Sequence, residues 1–427
     1  MKILIKNCNL ISMDSNREQI EYNIDVLLND NKIAEIGYSL LIGDDYKIIN
    51  ASGQYLLPGF INTHAHIGMS IFRESVDGYT TQDWLTEKIW PIEDKLTPDD
   101  IYKSSLLSCI EMIKTGTTTV NDQYFFPDNI AQAVINSGIR CELTRTIMDA
   151  SGSLDERLKE LENFIIKYNN KYDNLYINVG IHGLYTASER CVQKSIELAK
   201  KYNLNIHMHY LENSKEYSDI LNNQNGKKPF EVLKDNFENT NTILAHCVKL
   251  ENDDYNIISK YNLKIAHCPI SNLKLGCGIA NIPEMLENNI VVSLGTDGQG
   301  SGCNLDMFDT MKFTGLLQKG INENPKLLPA YEILKMATIN GAKALNKENI
   351  IGSIEVDKLA DLILLDLDNV TQLPINDIFS DIVYNAKGSN VTTTIINGKI
   401  LMENKRLTEL NEKQIIDDCK HIMELRG

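Results

Sequence analysis

From Pro58 to about residue 300 the chain alternates short apolar runs with amphipathic stretches of helical period. Most of the apolar runs stop on a polar group that can ligate a metal or move a proton. Candidate strands end near His64, Asn121, Arg145, His182, His209, His246, His267 and Asp297, with helical runs such as 104–114, Leu154–Tyr168 and Glu189–Tyr202 between them. Alternation of this kind predicts parallel strands joined by crossover helices. Eight of them predict an α/β fold built on a (β/α)8 TIM-type barrel, whose active site is assembled at the carboxyl ends of the strands. A barrel filled only by packing would end its strands in apolar or turn residues, so the His, Arg and Asp at these ends point to an enzyme.

The rest of the chain reads as strand. Residues 3–5, 25–28 and 32–36 are short strands, the last two separated by the turn Asn29-Asp30-Asn31. After Asp297 two helical runs, 305–318 and 329–345, lead back to strand character over 352–365 and 391–401, with Asn397-Gly398 at a hairpin turn. The expectation is a small composite β-sandwich domain formed from both chain ends, 1–57 and 350–427, around a barrel domain of 58–349, with a polar helix over 408–425. A net charge of −16 would be repelled by phosphate backbones and anionic lipid, which argues against nucleic acid and membrane as partners. The nine cysteines are scattered and form no C-x-x-C pair, which argues against a disulfide framework and a zinc ribbon. With no long apolar span, the expectation is a soluble cytoplasmic protein.

The apolar run at Leu57 ends on His64-Ala65-His66. In a strand, residues i and i+2 point to one side, so both imidazoles emerge together. Alone, such a pair reads equally as two loop histidines. His209 offers a third imidazole at another strand end, and Asp297 ends the last strand, which in a closed barrel neighbours the first. By itself Asp297 reads as well as a helix N-cap. Together, three His and one Asp with a water in the open position suit a catalytic zinc-type site. Such a metal acidifies a bound water; His246 would orient or deprotonate that water, and Glu212 is placed to carry a proton to substrate. His207 reads as a packed, hydrogen-bonded histidine, and His267 and His421 as structural or exposed. The fourth strand end carries His182 where a bridging modified lysine would imply two metals, so one metal is expected.

Several segments resemble the amidohydrolase superfamily, and within it the 5-methylthioadenosine/S-adenosylhomocysteine deaminases. Pro58-Gly59-Phe60 through His66 is similar to the family's opening metal motif, and Asp83-Trp84-Leu85 with Ile89-Trp90-Pro91-Ile92-Glu93 to its substrate-contact segment. Ser271-Asn272-Leu273-Lys274-Leu275, Leu294-Gly295-Thr296-Asp297-Gly298, Met336-Ala337-Thr338-Ile339-Asn340-Gly341-Ala342 and Gly352-Ser353-Ile354-Glu355 with Ala360-Asp361-Leu362 resemble later family motifs. The resemblance covers almost the whole chain.

It implies His64, His66, His209 and Asp297 as ligands of one divalent metal, most simply Zn2+, with Fe2+ or Mn2+ also suited to the donors. Glu212 would face the purine N1 and His246 the attacking water. Glu93 would take the ribose hydroxyls, Trp84 would wall the nucleoside pocket, and His182 would lie beside the nucleoside. Arg145 and Arg157 would meet the carboxylate of a homocysteine tail. Without the resemblance, Arg157 reads as part of a solvated helical face, Glu93 as an ordinary acid after a proline, and Trp84 as core.

The implied activity is hydrolytic deamination of 5′-modified adenosines, with a small-molecule nucleoside as substrate and a homo-oligomer compatible with the family. Deamination or dechlorination of another heteroaromatic ring, of guanine or triazine type, is the nearest alternative; a non-catalytic scaffold is a remote one. Two segments depart from the family pattern. Gly180-Ile181-His182-Gly183-Leu184-Tyr185 lacks the usual prolines, and 298–304 is richer in glycine, with Cys303 where asparagine is usual.

Overall fold

The computed structural model describes residues 2–41, 43, 45–75 and 77–426. Its barrel strands are β1 (Phe60–Ala65), β2 (Thr117–Tyr124), β3 (Arg140–Ile147), β4 (Val179–Gly183), β5 (Ile206–Tyr210), β6 (Thr242–His246), β7 (Lys264–His267) and β8 (Val292–Leu294), neighbours in that order. All the pairings between them are parallel. Every residue of β1, β2, β5, β6, β7 and β8 is buried, as expected of strands covered on both faces. The run 175–181, read from the sequence as one strand, divides into Leu175–Ile177 and β4. Asn178 makes the break: its amide donates to Leu143 O at 2.9 Å and its side chain to Asn121 Oδ1 at 3.3 Å.

The ring closes between β8 and β1 largely through side chains. Thr63 Oγ1 donates to Leu294 O at 2.9 Å, Asn62 Nδ2 donates to Thr296 Oγ1 at 2.7 Å, and Asn62 Oδ1 accepts from Thr296 N at 3.1 Å. Asp297 N then donates to His64 O at 3.0 Å. Polar residues in the middle of β1 thereby set Asp297 beside His64.

Helices cover the barrel where the periodicity places them. Pro98–Lys114 starts at a capping box between Thr97 and Asp100, with Pro98 in the first turn, where its missing N–H costs nothing. Ser153 caps Leu154–Tyr168 by accepting from Glu156 N at 3.3 Å. The run 329–345 is not one helix: it divides into Ala330–Met336 and Ile339–Ala344. The break frees the Ala337 carbonyl, which accepts the Ile61 amide of β1 at 2.8 Å.

Both chain ends share one nine-stranded sheet, separate from the barrel. Of the run 352–365, only Leu362–Leu365 forms strand; it pairs antiparallel with Tyr55–Pro58, which in turn lies beside Lys2–Leu10. The expected turns at Asp30 and Asn397-Gly398 are present, each with backbone in the left-handed region, and they abut: a Cβ on Gly398 would lie 1.9 Å from Asp30 O. One apolar cluster, including Ile3, Leu28, Leu362 and Ile395, ties the two ends together. The sheet is fastened to the barrel by a buried ion pair, Arg140 Nε to Asp361 Oδ2 at 2.6 Å and Nη2 to Oδ1 at 3.0 Å. Among the described residues, no helix is long and apolar enough to cross a membrane.

Candidate metal centre and active site

The two-residue period of β1 delivers His64 and His66 to one side of its carboxyl end. His66 Nδ1 lies 2.5 Å from Gln123 O, and His209 Nδ1 lies 2.5 Å from His182 O. A carbonyl oxygen only accepts, so in the neutral rings each Nδ1 carries the proton and each Nε2 keeps its lone pair. Those two Nε2 atoms face each other at 3.3 Å. Asp297 Oδ1 lies 3.2 Å from His66 Nε2 and 3.4 Å from His64 Nε2, and the latter is a buried atom with no hydrogen bond. The ligand atoms of His64, His66 and His209 fall within 4.8 Å of one another, as do those of His64, His246 and Asp297. Lone pairs and a carboxylate that converge without a donor among them fit a divalent cation, and the donor set is the one zinc, iron or manganese accepts.

Each of these groups is held from behind. His64 Nδ1 is 2.8 Å from His207 Nε2, so His207, packed and hydrogen-bonded in the barrel interior, orients the first imidazole. Asp297 Oδ2 accepts from Ser271 Oγ at 2.6 Å and Ser301 Oγ at 2.8 Å, while Oδ1 accepts from Gly298 N at 2.8 Å. Burial opposes its ionisation, but these three donors favour the charged carboxylate. The backbone is left-handed at Leu211, His246, Cys247 and Asp297, all non-glycine residues at strand ends. Conformations of this sort cost energy and persist where the surroundings over-determine them.

Glu212 is buried beside the cage, and desolvation raises its carboxyl above the ordinary value. Its backbone is clamped by Glu216, whose two oxygens accept the amides of Leu211 at 2.9 Å and Glu212 at 2.7 Å. Burial pushes Glu216 itself up to about 7, against the pull of those amides. His246 Nδ1 sits 2.8 Å from Asn272 Oδ1 and 4.0 Å from Glu212 Oε1. The amide oxygen can only accept, so it fixes the proton of His246 on Nδ1 and leaves Nε2 as an acceptor.

A cavity of about 1460 Å³ opens over this centre. His66, His209, Glu212, His246 and Asp297 line its floor; Trp84, Glu93, Arg145, Arg157 and His182 line its walls; His64 lies beneath. Trp84 is buried, its indole N–H donating to Ser75 Oγ at 3.2 Å. Tyr124 donates its hydroxyl to Glu93 Oε1, and burial raises that carboxyl. His182 is pushed down to about 4, first by burial, with the charge of Arg157 adding to it, so it is neutral. Thr186 Oγ1 donates to Gly183 O at 3.2 Å, so it accepts the His182 Nδ1 proton at 2.8 Å, which leaves His182 Nε2 as an acceptor. The two arginines are not bare cations: Arg145 Nε is 2.7 Å from Glu160 Oε2, and Arg157 Nη1 donates to Met148 O at 2.5 Å.

Sequence reasoning did not single out Ser271, Ser301, Glu216, Asn272 or Tyr124. Ser271 and Asn272 stand in a segment singled out only for its family resemblance, with no role given to either residue; Glu216 carries no mark beyond lying one helical turn past Glu212. The glycines that set 298–304 apart have a packing cause. A Cβ on Gly298 would lie 3.1 Å from His66 Cβ, one on Gly300 2.8 Å from the Trp84 ring, and one on Gly302 2.3 Å from Thr296 O. At these three positions the backbone lies too close to the cage, the pocket wall or its own chain for a side chain.

A barrel with its polar groups gathered this way defines the class: a divalent-metal hydrolase. A model of the amidohydrolase family matches residues 55–401, and the chain belongs to that family. It is 42% identical to a 5'-deoxyadenosine deaminase of Methanobrevibacter smithii, with 93% of each chain covered. It is 40% identical to a 5-methylthioadenosine/S-adenosylhomocysteine deaminase of Thermoanaerobacter pseudethanolicus, with 97% of each covered. Its fold superimposes on a crystal structure of an adenosine deaminase from Xanthomonas campestris with bound zinc, with a TM-score of 0.93, 25% identity, and 99% and 98% of the two chains covered.

Proposed function

We propose that this protein hydrolytically deaminates 5′-modified adenosines, such as S-adenosylhomocysteine, 5′-methylthioadenosine and 5′-deoxyadenosine, to the corresponding inosines and ammonia. The observation that carries the reading is the placement of Glu212: a buried acid of raised proton affinity beside a cation cage, at the floor of a cavity whose walls hold a carboxylate and two guanidinium groups. The deaminase names of full-length relatives support the same substrate class.

His64, His66, His209 and Asp297 would hold one divalent cation, most simply zinc. When bound, it lowers the pKa of a coordinated water and makes that water nucleophilic at neutral pH. His246, with Nε2 free to accept, holds the water towards C6 of the purine. Glu212 gives its proton to N1, which draws electrons from the ring and makes C6 electrophilic. As the water oxygen adds to C6, its proton passes to Asp297. Asp297 returns that proton to the exocyclic nitrogen, the C6–N bond breaks and ammonia leaves. The hydroxyl proton left on C6 goes back to Glu212, so the acid is restored and the product keeps its N1–H. Glu93 takes the ribose hydroxyls, Trp84 walls the base, and His182 offers Nε2 to the nucleoside. Arg145 and Arg157 meet an anionic tail. Residues 58–349 would constitute the catalytic barrel, with 1–57 and 350–427 as the accessory domain.

The test is ammonia release from adenosine, 5′-deoxyadenosine, 5′-methylthioadenosine, S-adenosylhomocysteine, guanine and a chlorotriazine. Turnover confined to the adenosines supports the reading. Turnover of the ribose-free rings alone overturns it.

A further inference from the structure

The outer end of the cavity carries charges that deamination at C6 does not use. Arg145 lies near the carboxyl end of β3, and Arg157 and Glu160 stand three residues apart on the helix Leu154–Tyr168, on the face that lines the cavity. Glu160 Oε2 takes Arg145 Nε at 2.7 Å, and Arg145 Nη1 donates to Thr146 O at 2.5 Å. Arg157 is anchored by Met148 O at 2.5 Å and Ser151 Oγ at 3.4 Å. Among the described residues, Arg145 Nη2 and Arg157 Nε have no hydrogen-bond partner. The three charges sense one another: after burial, the charge of Arg145 pulls the Arg157 guanidinium down, and that of Glu160 pushes it up.

Two guanidinium groups and one carboxylate amount to a single net positive charge with both signs displayed. A tail bearing only a carboxylate would find one of its two arginines already occupied and would bring its charge towards Glu160. An uncharged tail would leave all three groups as they stand. A tail bearing an ammonium and a carboxylate on one carbon finds a partner for each: the ammonium can share the Glu160 carboxylate, and the carboxylate can take the unused N–H groups of the two arginines. Hydrogen bonds between ionised partners are the stronger kind, and the pairing favours a tail that carries both charges over one that brings only the carboxylate.

We infer that Glu160 is a specificity-determining residue that recognises the α-ammonium of an amino-acid tail on the 5′ carbon, with Arg145 and Arg157 taking its carboxylate. The site selects a zwitterion over an anion. This rests on the adenosine-deaminase reading above and extends it from the purine to the far end of the substrate.

The test compares wild type and Glu160→Gln on three substrates that differ only in the tail: S-adenosylhomocysteine, its analogue lacking the amino group (5′-(3-carboxypropylthio)-5′-deoxyadenosine), and 5′-methylthioadenosine as the neutral reference. The side chain of Glu160 is 60% exposed, so the expected effect is modest. In the variant, the ratio of kcat/KM for the zwitterion over the neutral tail falls about fivefold, mostly through KM, and the ratio for the carboxylate-only tail over the neutral tail rises as Arg145 is released. An unchanged or higher zwitterion ratio overturns the assignment and makes Glu160 a competitor for Arg145. Parallel loss on all three substrates also overturns it, because the Arg145–Glu160 pair would then be structural. Wild-type protein that deaminates none of the three, the neutral tail included, overturns the deaminase reading itself and this assignment with it.

Discussion

His66 and His209 present their Nε2 atoms to each other across 3.3 Å, with both Nδ1 protons already committed to backbone carbonyls. With both rings neutral, two lone pairs at that distance repel, and the Asp297 carboxylate beside them offers no proton to relieve it. A divalent cation turns the repulsion into coordination. Prolonged chelation should therefore abolish activity and lower the melting temperature, and readdition of zinc or manganese should restore both. Free metal at 100 times its dissociation constant contributes about 2.7 kcal/mol to folded-state stability. Metal analysis by mass spectrometry should return one ion per chain in wild type and much less in His66→Ala, whatever the activity.

Glu212 tests the acid step separately from the cage. Burial raises its carboxyl, so the proton persists to a higher pH than on an ordinary glutamate and is lost as pH rises through the shifted value. The rate should fall on the alkaline side as Glu212 ionises. Glu212→Gln cannot give up a proton; kcat should drop by about 10²- to 10⁴-fold with metal content retained, and the residual rate should lose that alkaline limb. A variant that keeps the limb assigns it to another group.

The structure also separates what a sequence displays from what it conceals. Strand ends are legible because several of these buried strands stop on a polar residue that can ligate or move a proton where they reach the cavity. His64, His209 and His246 are found this way, although Asn62, Thr63 and His207 show that polar residues are also buried deeper in the same strands. The groups behind them lie at positions no periodicity marks. Ser271 and Asn272 sit in a short helix, Pro269–Lys274, after β7, and Ser301 in a four-residue helical turn. Glu216 follows Glu212 in what reads as ordinary helix, and only the fold shows its two oxygens on the amides of Leu211 and Glu212. The helix break at Ala337 is equally hidden, because the carbonyl it frees answers to Ile61, far away in sequence.

Asn272 makes a sharp test of tautomer control. With its amide oxygen on His246 Nδ1 at 2.8 Å, the histidine proton is kept away from the cage. Asn272→Leu removes that acceptor and lets the proton move to Nε2, where His246 can no longer accept from the water. The expectation is a fall in kcat of about 10²-fold, with KM and metal content little changed. A rise in KM with kcat intact would place Asn272 in substrate binding instead.

On the proposed reading, the arginine pair governs tail selectivity. Replacing both Arg145 and Arg157 with Met removes the charge-assisted contacts to a carboxylate while keeping apolar bulk. S-adenosylhomocysteine should lose on the order of 10- to 100-fold in kcat/KM, and 5′-methylthioadenosine far less. Equal losses on both substrates would refute the carboxylate role and point to collapse of the Leu154–Tyr168 helix face.

Arg140 and Asp361 join the two sheets across a buried contact, and Asp361 Oδ1 also accepts the Asn397 amide at 2.7 Å. Arg140 additionally donates to Asp173 O at 2.8 Å. Arg140→Met would leave the Asp361 carboxylate buried without its cation, a change that costs about 3–5 kcal/mol in comparable pairs. Asp361→Asn in the same chain removes the stranded charge and keeps an oxygen for the Asn397 amide, so the double variant should recover much of the loss. Urea denaturation of the single and double variants measures the difference. A double variant no more stable than Arg140→Met would show that the arginine acts through Asp173 and packing rather than through Asp361. Because the pair lies at the start of β3, away from the strand ends that form the cavity floor, the folded fraction of each variant should keep wild-type kcat. A matched fall in kcat would mean that the terminal sheet helps hold the barrel in its active shape.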